Sequence, residues 1–176
     1  MGLFSEKLTK EQRDETREYA VTIIENCRPY LATFSRKHAD CVDLYRICKQ
    51  SLSNGQSPDG VDELVIKAMN AITEMQKALI DADTQMLTIK PPQAWYPKVI
   101  REAPEKIINT YFSGSRNFLD FAVKGLGQPD PLIHDPVHGN DKLNVFVSGL
   151  NYVASFAQDL IKNVLSPIED WLSKQK

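Results

Sequence analysis

Four potential metal ligands lie close together between residues 134 and 141. His134 and His138 are four residues apart, Asp135 follows the first histidine, and Asp141 comes three residues after the second. Imidazole and carboxylate groups bind transition metals, and two histidines four residues apart usually share one ion when they lie one turn apart on a helix. Pro136 permits that spacing only if a helix begins there with Asp135 as its N-cap. The alternative is turn chemistry, because Asp-Pro and Gly-Asn are common in turns. We therefore predict no cofactor, and these four residues are the candidate ligands if a metal binds.

A second set of reactive side chains lies on one apolar stripe with helical spacing and comprises His38, Cys41 and Cys48. An imidazolium next to a thiol lowers the thiol pKa, which would create a nucleophile or a metal ligand. Free cysteine is also among the most buried residue types and packs as a small hydrophobe. No Asn or Asp is placed to orient His38, and the chain has no phosphate-binding glycine loop and no GxSxG motif. Core packing is therefore the preferred interpretation, and we predict no catalytic residue.

The proline-rich segment 90–104 carries the best candidates for binding a partner. Trp95 and Tyr96 are flanked by prolines, and Arg101 follows them. Trp, Tyr and Arg are enriched among the residues that dominate binding energy at protein interfaces. These three residues, together with Trp171 near the end of the chain, are the predicted partner-binding residues. The alternative is that the aromatic residues fasten this crossover segment to its own domain.

Helical periodicity predicts the elements that hold these residues. The first helix should begin at Thr9, as an N-cap with Gln12 at the capping-box position. Its charged start, up to about residue 15, should either project into solvent or meet a partner. Pro29 should kink this helix or begin a new one. The stripe ends at the turn-forming segment 53–60, in which Asp59 is the predicted N-cap of the next helix.

Two further long helices follow. One holds a three-four alternation of apolar residues up to Ile89 and is ended by Pro91 and Pro92. The other runs from near Pro104 to Gly125 or Gly127. Gly114, near the middle of that helix, predicts a close contact with another helix, because glycine is otherwise unfavourable there. Residues 126–141 are predicted to form an irregular loop.

The widest apolar face of the chain belongs to residues 143–165. No Asp, Glu, Lys or Arg occurs in the sixteen residues from Leu143 to Gln158. This pattern predicts a central helix that other helices surround; its Asn and Ser content and Gly149 favour that over a membrane-inserting hairpin. Ser166 then predicts a new start, with Ser as the cap and Pro at the first helical position. The sequence thus predicts an all-α, single-domain helical bundle over residues 1–176, with four to five long helices and a short C-terminal helix.

Composition argues against nucleic-acid binding and against a membrane span, and it indicates the cellular compartment. The 21 basic and 23 acidic residues leave a net charge of −2, which argues against nucleic-acid binding. Three cysteines without a CxxC motif indicate a reducing compartment. The longest uncharged run has sixteen residues, fewer than the ~20 that span a bilayer. With no secretory signal recognisable, we expect a soluble, cytoplasmic protein without a stable membrane span.

The predicted function is non-enzymatic: an adaptor, regulatory or assembly module that binds another protein or its own copy. One alternative is a bundle that binds an apolar small molecule or a lipid. Another is a metal-dependent enzyme that uses residues 130–141. Helical bundles perform all three roles, so the fold class does not choose among them.

Overall fold

A computed structural model describes residues 8–55, 61–126 and 139–175. Within these residues all regular structure is helical, which confirms the predicted all-α class. Two π-helical segments, π1 (Ile107–Phe112) and π2 (Ile161–Leu165), each join two α-helices end to end, so that four long rods result. The α-helices are α1 (Lys10–Ser53), α2 (Val61–Leu87), α3 (Lys98–Arg101), α4 (Ala103–Lys106), α5 (Ser113–Leu126), α6 (Gly139–Leu160) and α7 (Ser166–Ser173).

Helix α1 begins with the predicted capping box. The backbone N–H of Thr9 donates to Gln12 Oε1 at 2.9 Å, and the backbone N–H of Gln12 donates to Thr9 Oγ1 at 3.2 Å. The helix then continues for 44 residues through Pro29. Pro29 has no N–H, so the carbonyl of Glu25 loses its helical hydrogen bond. Glu25 and Pro29 are both exposed, so a water molecule can donate to this carbonyl instead. Pro29 therefore does not split the first helix.

Helices α1 and α2 form an antiparallel hairpin. Lys37 pairs with Glu74 at 2.8 Å, whereas Asp40, further along α1, pairs with Lys67, which comes earlier in α2. The chain leaves α1 through Gly55, whose φ of +68° lies in the left-handed region that favours glycine. The predicted N-cap of α2, Asp59, lies outside the described residues.

Helices α5 and α6 pack so closely that their backbones meet. A Cβ atom added at Gly149 would lie 2.9 Å from both Ala122 N and Phe118 O. At Gly114 an added Cβ would lie 2.5 Å from the ring of Phe156. The close helix contact predicted at Gly114 is therefore confirmed, with an aromatic side chain as the contacting group.

The expectation that α6 is surrounded on all sides is wrong. One face is buried in the core and includes Phe146, Leu150 and Val153. The opposite face is open to solvent along the four turns from Asn144 to Gln158. Its exposed residues are Asn144, Ser148, Asn151, Tyr152, Ser155 and Gln158. The stretch without charged residues therefore includes an exposed, uncharged surface as well as a buried face.

The short terminal helix α7 is present, but it starts without a break. Ser166 has helical φ and ψ, and its N–H donates to the carbonyl of Ile161, five residues earlier. No side-chain cap forms at this point, so the predicted Ser cap is wrong. The π-helical turn lets the chain accommodate Pro167, which has no N–H of its own, without leaving the helix.

Candidate functional site

Most of the predicted metal ligands cannot be placed. His134, Asp135 and His138 lie outside the described residues, and Asp141 is exposed in the first turn of α6. In the part of the chain that the structure describes, no group of three or more His, Cys, Asp or Glu side chains could hold a metal ion. Metal binding at residues 130–141 therefore stays a prediction.

The cysteines of the α1 stripe are packed in the core, and His38 is half-buried. Cys27, Cys41 and Cys48 are free thiols with no solvent exposure. Burial raises the pKa of Cys27 and Cys41 to about 12 and that of Cys48 to about 11. Burial also lowers the pKa of His38, whose ring lies 5.2 Å from that of Phe34. At neutral pH the thiols stay protonated and the imidazole stays neutral, so this stripe holds no activated nucleophile.

The crossover between α2 and α3 is fastened to its own domain by one of its two aromatic residues. Tyr96 is only 5% exposed, and its hydroxyl donates to Glu15 Oε1 at 3.1 Å. Its ring lies 4.9 Å from the ring of Tyr19. Arg101 Nη1 donates to the carbonyl of Ala94 at 3.0 Å, which closes the crossover on itself. The neighbouring Trp95 stays 41% exposed.

Among the other predicted partner-binding residues, Trp171 is half-buried on α7 and packs against the core. Arg101 is exposed despite its backbone contact. The structure thus separates the four predicted residues: Tyr96 is an internal anchor, Trp171 is partly internal, and Trp95 and Arg101 lie at the surface.

An exposed aromatic cluster on α5 and α6 was missed by the sequence analysis. Phe118 stacks on Tyr152 with ring centroids 4.4 Å apart and an interplanar angle of 21°. Phe121 and Phe156 flank the same ring of Phe118 at 6.4 and 5.9 Å. Phe121 is 40% exposed and Tyr152 is 53% exposed. We call these four residues the outer aromatic patch.

The outer aromatic patch adjoins the uncharged face of α6. Small polar side chains surround Tyr152 along that helix, since Ser148, Asn151 and Ser155 are all exposed. The core of a protein–protein interface is depleted in charge and enriched in aromatic residues. The sequence signal that could have revealed the patch is the spacing of Tyr152 and Phe156, one turn apart and off the buried stripe of α6.

The cleft between α1 and the crossover is the other notable surface feature. It has a volume of about 250 Å³ and is lined by Glu15, Glu18, Tyr19, Lys90 and Tyr96, among others. Burial is the main cause that raises the pKa of Tyr96 to about 12, and its hydrogen bond to Glu15 and the charges of Glu15 and Glu18 act in the same direction. Two carboxylates, those of Glu15 and Glu18, and one lysine side chain, that of Lys90, line this cleft.

No protein-family model, curated protein or solved structure matches the chain. No helix among the described residues is both long and apolar enough to cross a membrane.

Proposed function

We propose that this protein is a non-enzymatic interaction module and that the outer aromatic patch, with the uncharged face of α6, binds another protein. The observation that supports this most is the exposure of Phe121 and Tyr152 next to a helix face without charge. Large exposed aromatic residues in one cluster are typical of interaction sites, whereas single exposed apolar residues are ordinary. Aromatic anchors at the centre of an interface contribute most of the binding energy.

The patch is held in place before any partner arrives. Phe118 is half-buried and stacks on Tyr152, which restricts the ring that is most exposed. Beneath these rings the backbones of α5 and α6 meet at Gly149, so that the two helices have little freedom to separate. A preordered surface loses less conformational entropy on binding, which favours affinity.

The chemistry of the surface indicates the kind of partner. A charged group that becomes buried without a counter-charge opposes binding. Because the exposed residues of α6 from Asn144 to Gln158 carry no charge, they offer no counter-charge to a partner. The partner surface that fits is therefore itself apolar and uncharged at its centre. Trp95 is a further exposed aromatic residue, and it lies apart from the patch in sequence, on the crossover between α2 and α3.

Site-specific photo-crosslinking tests this proposal in living cells. A benzophenone amino acid placed at Tyr152 should give a discrete crosslinked product, and the same group at Ile66 should not. Ile66 is the matched control, since it lies on α2 and is 60% exposed. Phe121→Ser should abolish the product formed at position 152, and Ile66→Ser should leave it unchanged.

Two further outcomes have definite meanings. A product with the mass of two identical chains, together with a dimeric mass in light scattering, would assign the patch to self-association and overturn binding of a different protein. Equal crosslinking at positions 152 and 66, or a product that survives Phe121→Ser, would overturn the patch as a binding surface.

A further inference from the structure

The outward face of α1 is exposed along most of the helix. One face of α1 packs against α2 and α6. On the opposite face, exposed residues follow one another at alternating intervals of four and three, which is the spacing with which two long helices pack side by side. We call these residues the outer row of α1. They are Asp14, Glu18, Val21, Glu25, Arg28, Ala32, Ser35, Ala39, Val42 and Arg46.

The middle of the outer row is apolar and carries little charge. Val21 is 37% exposed and Val42 is 41% exposed. Of the seven residues of the row from Val21 to Val42, only one is acidic and only one is basic. The solvent-facing side of a helix is usually charged or polar throughout. Ala32 and Ala39 leave room for a second helix, because the distance between two packed helices depends on the side chains at their contact.

Charge is distributed unevenly along α1. Residues 10–26 include five acidic and three basic side chains, whereas residues 27–53 include five basic and two acidic side chains. If a second α1 lay parallel to the first, each charged residue of the row would face its own copy. If the second α1 were antiparallel, the acidic part of each helix would face the basic part of the other. Complementary charge therefore favours the antiparallel arrangement.

We propose that two copies of this chain associate through their outer rows, with the two α1 helices antiparallel. In the register that we propose, Glu25 faces Arg28 of the second copy. All residues of the row between positions 14 and 39 then face residues of the same row, and Val21 packs against Ala32 of the second copy. The arrangement has two-fold symmetry, so that each contact occurs twice.

A second pair of opposite charges forms in the same register. Arg36 is exposed next to the outer row and comes beside Glu18 of the second copy. None of Glu25, Arg28 and Arg36 forms an ion pair with another described residue, so that their charges are available to a second copy. A single exposed ion pair contributes little to binding, whereas several in a network contribute more. This dimer goes beyond the function proposed for the outer aromatic patch, which lies on α5 and α6.

Sedimentation velocity of the whole chain over a range of concentrations tests the dimer. The parent chain should change from monomer to dimer as its concentration rises, and added salt should weaken the dimer by screening the charges. Glu25→Arg and Arg28→Glu should each weaken it by about tenfold or more, because both symmetric contacts change from attraction to repulsion. An equimolar mixture of the two variants should dimerise again, because each of these contacts then joins opposite charges.

Two control variants make the result specific. Lys77→Glu makes the same change of charge as Arg28→Glu, but at an exposed position of α2, and should dimerise like the parent chain. Phe121→Ser should also dimerise like the parent chain, because it alters the outer aromatic patch. Conversely, Arg28→Glu should leave the crosslinked product formed at Tyr152 unchanged. The dimer and the outer aromatic patch can therefore fail independently of each other.

Three results would overturn the proposal. The first is a parent chain that stays monomeric up to about 1 mM, since binding weaker than this has almost no specific free energy. The second is an Arg28→Glu chain that dimerises as tightly as the parent chain. The third is a mixture of Glu25→Arg and Arg28→Glu chains that stays monomeric while far-UV circular dichroism shows both to be as helical as the parent chain.

Discussion

Replacing Gly149 with alanine tests the backbone contact between α5 and α6. The new Cβ would lie 2.9 Å from Ala122 N and 2.9 Å from Phe118 O. Both atoms belong to the backbone of α5, so no side chain can turn aside to make room. The two helices must move apart by about half an ångström, and a gap of that size forfeits a quarter or more of the dispersion energy of each affected contact.

The change in the free energy of unfolding caused by Gly149→Ala is the sum of two opposing terms. Overpacking of a tight interface destabilises by about 1–3 kcal/mol, and backbone obstruction places Gly149→Ala at the upper end. Alanine in place of glycine inside a helix stabilises the helix by about 1 kcal/mol. The expected net loss in the free energy of unfolding is about 2 kcal/mol, which lowers Tm by about 4–8 °C for a chain of this size.

Gly114→Ala provides the matched comparison, because it makes the same substitution in the same interface. Its Cβ would meet the ring of Phe156, which is half-buried and can tilt. Displacing a ring from its preferred rotamer costs about 0.5–1.5 kcal/mol, which the gain in helix propensity roughly offsets. Urea unfolding followed by far-UV circular dichroism should therefore rank Gly114→Ala close to the parent chain and Gly149→Ala well below it. If Gly149→Ala proved as stable as the parent, the inferred backbone contact would be refuted.

Three further predictions concern buried thiols, a hydrogen bond and a helix cap. The native protein at pH 8 should react with Ellman's reagent only as fast as it unfolds, since all three thiols are inaccessible. Burial raises the pKa values of these thiols from 9.0 to about 11–12. Their contribution to the free energy of unfolding is therefore complete below pH 9 and is lost as the pH rises toward 12. A urea midpoint that stayed constant from pH 8 to 11 would contradict this. Tyr96→Phe removes the hydrogen bond to Glu15 and should lower the free energy of unfolding by about 1 kcal/mol in the same urea assay, and no change would show that the bond contributes nothing. Thr9→Ala should cost the first turn of α1 about 1 kcal/mol, seen as faster amide exchange there with little change in Tm, and unchanged exchange would show that the cap is not formed.

The parts of the fold that the sequence predicts well depend on residues close together in the chain. The capping box of Thr9 and Gln12 involves a single turn, and the burial of Cys41 follows from one stripe. The outcome at Pro29 was not predictable in the same way. Whether a proline splits a helix depends on what satisfies the carbonyl four residues earlier, and that carbonyl faces solvent only because of how the rods pack.

The candidate sites were less predictable, because they depend on which faces are covered. Trp95 and Tyr96 have similar local sequence, yet Tyr96 is buried against Tyr19 and Trp95 is exposed. The uncharged stretch of α6 predicts burial, although an uncharged surface produces the same sequence pattern. Glu15 and Tyr96 are 81 residues apart, so their contact requires the tertiary fold.

The π2 segment makes this part of the molecule able to lose one residue without changing which face of the helix is buried. Leu160, Val164 and Ile168 are all buried at intervals of four residues, a spacing that drifts by about 40° per step around a regular α-helix. The wider turn absorbs this drift. Deletion of the exposed Asn163 would leave seven steps of 100° between Leu160 and Ile168, which bring Ile168 to within about 20° of the Leu160 face. The helix would become regular α-helix here, and Ile168 would still face the core. Loss of Asn163 should therefore be tolerated, whereas loss of one residue from a regular turn of α6 would rotate α7 by about 100°.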